Sequence, residues 1–441
     1  MQKFKFKGGI HIYDGKKMSR DKPISTLLPE GDLVFPMSQH IGAPAKPIVS
    51  KGDRVLQGQR IAQASGYVSS HIFSSVSGTV KAIEKRLTVS GDLVDSIVIE
   101  NDNLYEKVQA FGEKRDYSNL GKDEIRDMIE EAGIVGLGGA GFPVHVKLTP
   151  KEDEKIEYII VNGAECEPYL TSDYRLMMEE PEKLIEGLKI VLSLFENAKG
   201  IIAIEENKPD AIKKIEELIA DEARIEVKVL ETKYPQGAER QLIYVTTGRK
   251  INSSMLPLDV GCIVNNVGTT IAIYKAIAEN IPLISRVVTV SGDAVANPQN
   301  FRVLTGTEYG QIIEAAGGFT SPPEKVISGG PMMGTAMFDL KVPATKLTNA
   351  VLAFIKDEAN VEETPCISCG RCYEVCPGRL LVKNVAELAE RSDEESFIKL
   401  NGMECCGCGT CSYVCPAKRS LAQRIMGTRN RILAKQKSAA K

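Results

Sequence analysis

No charge of one sign dominates this sequence. Lysine and arginine total 55 against 58 aspartates and glutamates, a net charge of -3. Nothing therefore argues for a polyanionic partner, and no nucleic acid is expected. A long uncharged apolar run is missing too, and with it any membrane-spanning helix. The first residues, MQKFKFKGGIHIYDGKK, lack the apolar stretch of a secretory signal. These absences lead to the expectation of a chain on the cytoplasmic side that crosses no bilayer but could work beside a membrane-bound partner. What is present is an ordinary globular composition, 43% apolar and 26% charged, at a length that suits about two to four domains.

Cysteine is scarce along most of the chain and then dense. Eleven are present, and nine lie between Cys366 and Cys415. Cys366, Cys369, Cys372 and Cys376 follow the spacing C-x2-C-x2-C-x3-C with Pro377 next. Cys405, Cys408, Cys411 and Cys415 repeat it, with Pro416 next. This is the ferredoxin run of two [4Fe-4S] clusters, in which the fourth cysteine of each run ligates the other cluster. One cluster then takes Cys366, Cys369, Cys372 and Cys415, and the other takes Cys405, Cys408, Cys411 and Cys376. Structural zinc also uses paired cysteines, but it has no use for a doubled x3-C-P ending. Cys406 is out of register and reads as a bystander; Cys166 and Cys262 read as small buried side chains.

The pattern along the rest of the chain divides it. Residues 1–110 alternate apolar and polar positions between glycines, as in KPIVSKGDRVLQGQRIAQASGYVSSHIFSSVSGTVKAI, which suggests a small antiparallel barrel or sandwich. The two halves of that run resemble a biotinyl/lipoyl-type domain. Tyr67 stands where a carrier domain holds its modified lysine, so this copy is expected to be a scaffold. Between 118 and 283, helical segments alternate with the apolar runs YIIVN, GIIAIE, IEVKVLE and CIVNNV, the pattern of a mostly parallel sheet covered on both faces. Residues 284–345 suit a small α+β module, 346–425 a helical two-cluster ferredoxin-like domain, and 426–441 a basic tail. From Lys418 to Lys441 there are eight basic residues and no acid, which fits either a solvated tail or a contact with anionic lipid or acidic partners. The fold class expected is multidomain α/β, with a barrel-sandwich and a ferredoxin-like domain at its ends; the resemblance given below implies that the domains between are a Rossmann-like flavin domain and a β-grasp module.

The stretch Gly136–Lys147, GLGGAGFPVHVK, contains G-x-G-x-x-G. A dinucleotide-binding turn follows a strand and opens a helix. Here the preceding segment is helical in pattern, and Pro143 follows the last glycine closely. The local motif leaves a Rossmann turn and a plain structural turn both open. Its neighbours carry more. With VNGAECEP after it, then YPQGAE and VNNVGTT, it resembles the flavin- and NADH-binding subunit of respiratory complex I. That resemblance covers about 118 to 345. The order of all parts, barrel first and two ferredoxin runs last, resembles the RnfC family of the Rnf ion-translocating electron transport complexes. Cobalamin reductases of microcompartments share the parts in another order and are the alternative.

The resemblance implies non-covalent FMN, NAD(H) and two clusters as cofactors, and assigns residues. Gly136, Gly138, Gly139 and Gly141 would let backbone amides approach the FMN. Lys147 would supply a cation, and Phe142 would stack on the nucleotide, at its adenine. Asn162, Glu165 and Glu167 would line the flavin edge, with Glu167 helping to place the nicotinamide as the catalytic residue. Tyr234, Gly237 and Glu239 would form the next wall, and Asn265, Asn266 and Thr269 would hold the ribityl-phosphate. The chain departs from the family at Ala164, Ala238 and Gly268, where acids are usual. The function implied is hydride exchange between NAD(H) and FMN, coupled to single-electron transfer. Its setting would be a peripheral subunit on the cytoplasmic face of the cell membrane. The partners implied are the integral and peripheral subunits of the complex, its ferredoxin-like subunit among them.

Overall fold

A computed structural model of the protein describes residues 4–439. At its centre is a parallel sheet of the strands Tyr158–Gly163, Lys199–Glu205, Ile225–Leu230 and Cys262–Asn266, in the spatial order third, second, first, fourth. Alternate residues serve opposite faces. Ile159, Val161, Ile202 and Ile263 meet the helices Pro181–Ser193, Pro209–Leu218 and Val267–Glu279. Ile160, Ile201 and Val264 meet Leu242 and Ile243 of the helix Glu239–Thr247, together with Phe6. Burial on both faces is why these strands read as continuous apolar runs. The strand order reverses between Tyr158–Gly163 and Cys262–Asn266, and open α/β sheets bind ligands in the crevice beyond the carboxyl ends at such a point.

The barrel expected from the alternating run is present as two antiparallel sheets. One joins Asp32–Pro36, Leu93–Asn101, Gly78–Leu87 and Arg54–Val55; the other joins Lys46–Pro47, Arg60–Gln63 and Ile72–Phe73. Leu33, Phe35, Val55, Ile61, Val80, Ile97 and Ile99 fill the space between them. The residues ahead of the barrel go elsewhere. Phe4 bridges Leu230 at the edge of the parallel sheet, Ile10 pairs with Tyr234, and Ser25–Leu27 adds a parallel edge strand beside Gln299–Leu304. The apolar residues Phe4, Phe6 and Ile10 find their burial on the central domain, so this arm stitches three modules together.

The β-grasp sheet is six-stranded and mixed, with the helix Tyr309–Ala315 packed on it through Ile312 and Ile313. It takes in Ala350–Phe354, which lies beyond the expected limit of 345, because Val351 and Ala353 are needed to fill its core. The cysteine-bearing module is made of short helices and the long helix Leu421–Ala439. Most of the expected basic tail lies in that helix, and residues 440–441 lie outside the described residues. Ile425 and Ile432 are buried against Val385 and Ala389. Arg424 pairs with Glu363 and Glu390, and Arg431 and Lys435 pair with Glu394. These three cations are thus paired with the module's own acids. Among the described residues no helix is long and apolar enough to cross a membrane.

Candidate functional site

The glycine loop lies between the helix Lys122–Glu131 and the four-residue helix Val144–Lys147, with no strand before it. Its ends are closed by a bridge between Val135 and Pro143 and by Gly136 N–H donating to Phe142 O at 2.9 Å. Leu137 is held from both sides: its N–H donates to Thr269 Oγ1 at 2.9 Å, and its carbonyl accepts from Arg286 Nη2 at 3.1 Å. A Cβ on Gly138 would come within 2.9 Å of Asn266 Cβ, so the backbone lies directly on the end of the strand Cys262–Asn266. Gly138, Gly139 and Ala140 are exposed. Lys147 reaches under the loop to Val264 O at 2.8 Å. Burial lowers its pKa and raises that of Glu239, and each charge opposes the other's shift.

The crevice itself is edged by asparagines. Asn162 and Asn266 are register partners on the neighbouring strands. Asn162 Nδ2 donates to Gly237 O at 2.9 Å, bringing the third predicted wall alongside. Asn266 Oδ1 caps the helix Val267–Glu279 through Gly268 N–H, and its amide donates to Asp173. Both side-chain polar atoms of the buried Asn265 are unpartnered, as are Tyr234 Oη, Gln236 Oε1 and Glu167 Oε1. Buried polar atoms are rarely left so. This set, opening at a strand switch point beside a glycine loop, fits a large polar ligand such as FMN.

Two of the predicted acids are placed differently from each other. The Glu165 carboxylate is buried, accepts from the N–H groups of Asp173 and Tyr174 at the start of the helix Ser172–Glu179, and lies 4.0 Å from Lys16 Nζ. Its carboxylate thus caps the start of that helix. Glu167 accepts from Met332 N–H at 3.1 Å and faces Tyr234 without closing a hydrogen bond. Burial pushes both carboxyls up to about 7. No linear pattern marked the two lysines beneath this loop. Lys16, from the N-terminal arm, donates to Glu165 O, Glu167 O and Leu170 O, and Lys208 donates to Ala164 O. Asp173 and Arg286 were missed as well. All four are ordinary charges in the linear sequence and gain meaning only from burial.

The cysteines fall into two groups. Cys366, Cys369, Cys372 and Cys415 line one cavity, with Arg371, Lys383 and Arg419 around it and no acid. Cys376 lies among Cys405, Cys408 and Cys411, close enough for their charges to act on one another. Amide N–H groups point at the sulfurs, Ser368 to Cys366 and Leu380 to Cys376, both at 3.4 Å. Four thiols about a cavity, with amide donors and compensating cations, suit [4Fe-4S] clusters. The second run is the one that docks on the crevice. Cys408 packs with Tyr234 and Ile10, beside Cys166, Met332 and Cys406. Glu404 accepts from Arg240 Nη1 at 3.0 Å and from Ser253 Oγ at 2.6 Å. Cys366 and Cys369, of the first run, are exposed.

Residues 4–104 match the RnfC barrel sandwich hybrid domain, 129–275 the Nuo51 FMN-binding domain, 287–336 the SLBB domain and 365–418 a 4Fe-4S dicluster domain. The chain is 45% identical to the corresponding subunit of the Na(+)-translocating ferredoxin:NAD(+) oxidoreductase complex of Acetobacterium woodii, covering 98% of each chain. The chain belongs to the RnfC family. It is equally similar, at 45% identity over 98% of its length and 96% of the relative's, to the same subunit of a proton-translocating ferredoxin:NAD(+) oxidoreductase complex in Clostridium ljungdahlii. Among solved structures, an NAD+-reducing [NiFe]-hydrogenase is 21% identical over 64% of this chain and 54% of that one, at a TM-score of 0.49. The family's flavin and dicluster domains coincide with the crevice and the two thiol sets described above, which makes the chain an iron–sulfur flavoprotein of electron transport. As a member of this family it is part of a multisubunit complex.

Proposed function

We propose that this chain is the NAD(H)-facing electron-transfer subunit of a membrane-associated Rnf-type ferredoxin:NAD oxidoreductase, peripheral on the cytoplasmic face. It would be held there by the complex's integral subunits and would meet a ferredoxin-like subunit. When bound, FMN exchanges electrons in pairs with a nicotinamide and singly with [4Fe-4S] clusters. The observation that carries the reading is the continuity from the crevice to the second cysteine run. Tyr234, with its free hydroxyl, stands between Glu167 on one side and Cys408 on the other.

The residues' work in this reading is positional. The loop Gly136–Gly141, fixed by Thr269 and Arg286, offers bare backbone to the FMN, and Asn265 offers two unpartnered polar atoms to it. Lys147 places a cation beneath. Glu167, half protonated near neutral pH, sits where the nicotinamide is to be oriented, with Asn162, Gly237, Glu239 and Phe142 around the bound nucleotides. The exposed thiols Cys366 and Cys369 then mark the side facing the next carrier. The two equally similar relatives are named for different ions, which supports ion choice being made elsewhere in the complex.

Anaerobic purification with flavin, iron and sulfide analysis tests this. The expected outcome is one FMN and about eight irons per chain, with the clusters reduced by NADH. Gly138→Val or Lys147→Ala should lose flavin while iron is kept. Iron without any flavin after reconstitution, or clusters inert to NADH in the flavin-loaded chain, would overturn the reading.

A further inference from the structure

The hairpin tip of the barrel is not free. Its two loops, residues 38–44 and 64–69, are tied by Ala43 N–H to Val68 O at 2.9 Å and by Ser69 Oγ to Ala43 O at 2.8 Å. The tip is docked on the last glycine of the flavin loop. Ile41 N–H donates to Gly141 O at 3.3 Å, and a Cβ on Gly141 would come within 3.2 Å of His40 Cα. His145 Nε2 lies 3.2 Å from Tyr67 O, and the Tyr67 and His145 rings meet edge to face at 6.1 Å. Yet Tyr67 is 64% exposed and Ile41 47%. The structure thus presents a fixed aromatic and an aliphatic side chain, both open, at the rim of a nucleotide loop whose Gly138, Gly139 and Ala140 are bare.

We infer that Tyr67 of the barrel is part of the dinucleotide site and stacks on the adenosine half of NAD(H). The inference rests on the proposed function for the crevice. A dinucleotide needs two seats, one for the nicotinamide over the crevice and one for the adenine at its rim. Phe142, which the resemblance assigns to the adenine, directly follows the glycine that the tip touches. A ring already held by His145 and by its own backbone loses little freedom when a base stacks on it, and base–aromatic stacking tolerates any purine orientation. In the lipoyl-type pattern this tip carries a cofactor to a distant site; here it would receive one half of a diffusible cofactor.

The test compares the flavin- and cluster-loaded wild-type chain with Tyr67→Ala and Tyr67→Phe. Calorimetry measures binding of ADP-ribose, which is the dinucleotide without its nicotinamide, and anaerobic titration measures flavin reduction by NADH and by reduced nicotinamide mononucleotide. Tyr67→Ala is expected to weaken ADP-ribose and NADH about tenfold, to leave the mononucleotide unchanged, and to be rescued by Tyr67→Phe. Unchanged ADP-ribose binding in Tyr67→Ala overturns the inference, as does a matching loss for the mononucleotide, which would mark a distorted loop. If the wild type binds NADH but not ADP-ribose, only the adenine seat fails. If it does not respond to NADH, the proposed function fails with it.

Discussion

Glu167 shows how much of this site is decided one residue at a time. Its carboxylate accepts from Met332 N–H and lies where a Cβ on Gly330 would press within 2.2 Å of its Oε2. Burial lifts its pKa from an ordinary 4.5 to about 7. Between those values the folded chain holds a proton that the unfolded chain has released, so stability falls as pH rises across that window. Glu167→Gln should therefore flatten part of the decline between pH 4.5 and 7, by on the order of 3 kcal/mol, as read from denaturation midpoints at several pH values. The remaining slope is shared by the other raised acids, among them Glu165, also lifted to about 7 and opposed by Lys16, and Glu239. An unchanged slope would contradict this environment for Glu167. At this scale the sequence was half legible. Gly138 and Gly141 stood out in the loop, and only bare backbone allows their close approach. Lys16 did not, because a lysine after Gly15 looks like any surface charge until three carbonyls enclose it.

At the scale of elements, the two cysteine runs are one device built twice. Ser368 and Gly407 take the same left-handed backbone, with φ of 56 and 72, and so do Gly370 and Gly409, at 79 and 77. Each run then turns into a short helix, Arg371–Glu374 or Thr410–Tyr413. The spacing alone announced this repeat, because three thiols can converge on one cluster only at such intervals. The crossing of fourth ligands yields a sharp expectation. Cys376→Ser should damage the cluster of the second run, which faces the crevice, and Cys415→Ser that of the first. Electron paramagnetic resonance of the chain treated with NADH would then show a reduced cluster in Cys415→Ser and none in Cys376→Ser. The reverse result would exchange the order of the two. Strands such as Tyr158–Gly163 were equally plain from their apolar runs. Less plain was the helix Leu421–Ala439, whose basic residues find partners at Glu363, Glu390 and Glu394, too far along the chain for any local pattern to reveal.

Over the whole molecule the modules are joined by buried polar ties that no module carries by itself. Lys346 is the clearest. It is 1% exposed, and its ammonium donates to Ser70 Oγ and His71 O of the barrel and to Gly133 O just before the glycine loop. Its backbone N–H also donates to Gln39 Oε1 at 3.1 Å. One side chain thus fixes the barrel tip against the flavin loop, and this convergence of residues from three distant stretches is what sequence patterns cannot show. Burial holds its pKa down to about 7 against an ordinary 10.5. Across that interval the unfolded chain binds the extra proton, so this residue makes stability rise as pH rises from about 7 towards 10.5. Lys346→Met strips three buried acceptors of their donor and should cost on the order of 2 kcal/mol. It should also remove that rise with pH. Because the loss falls at a junction, hydrogen exchange should quicken at residues 64–72 and 133–142 while Leu421–Ala439 keeps its protection. Equal quickening everywhere would mean that Lys346 supports only global stability; no change at the tip would mean that the hydrogen bonds of Ile41 and His145 suffice to hold the barrel in place.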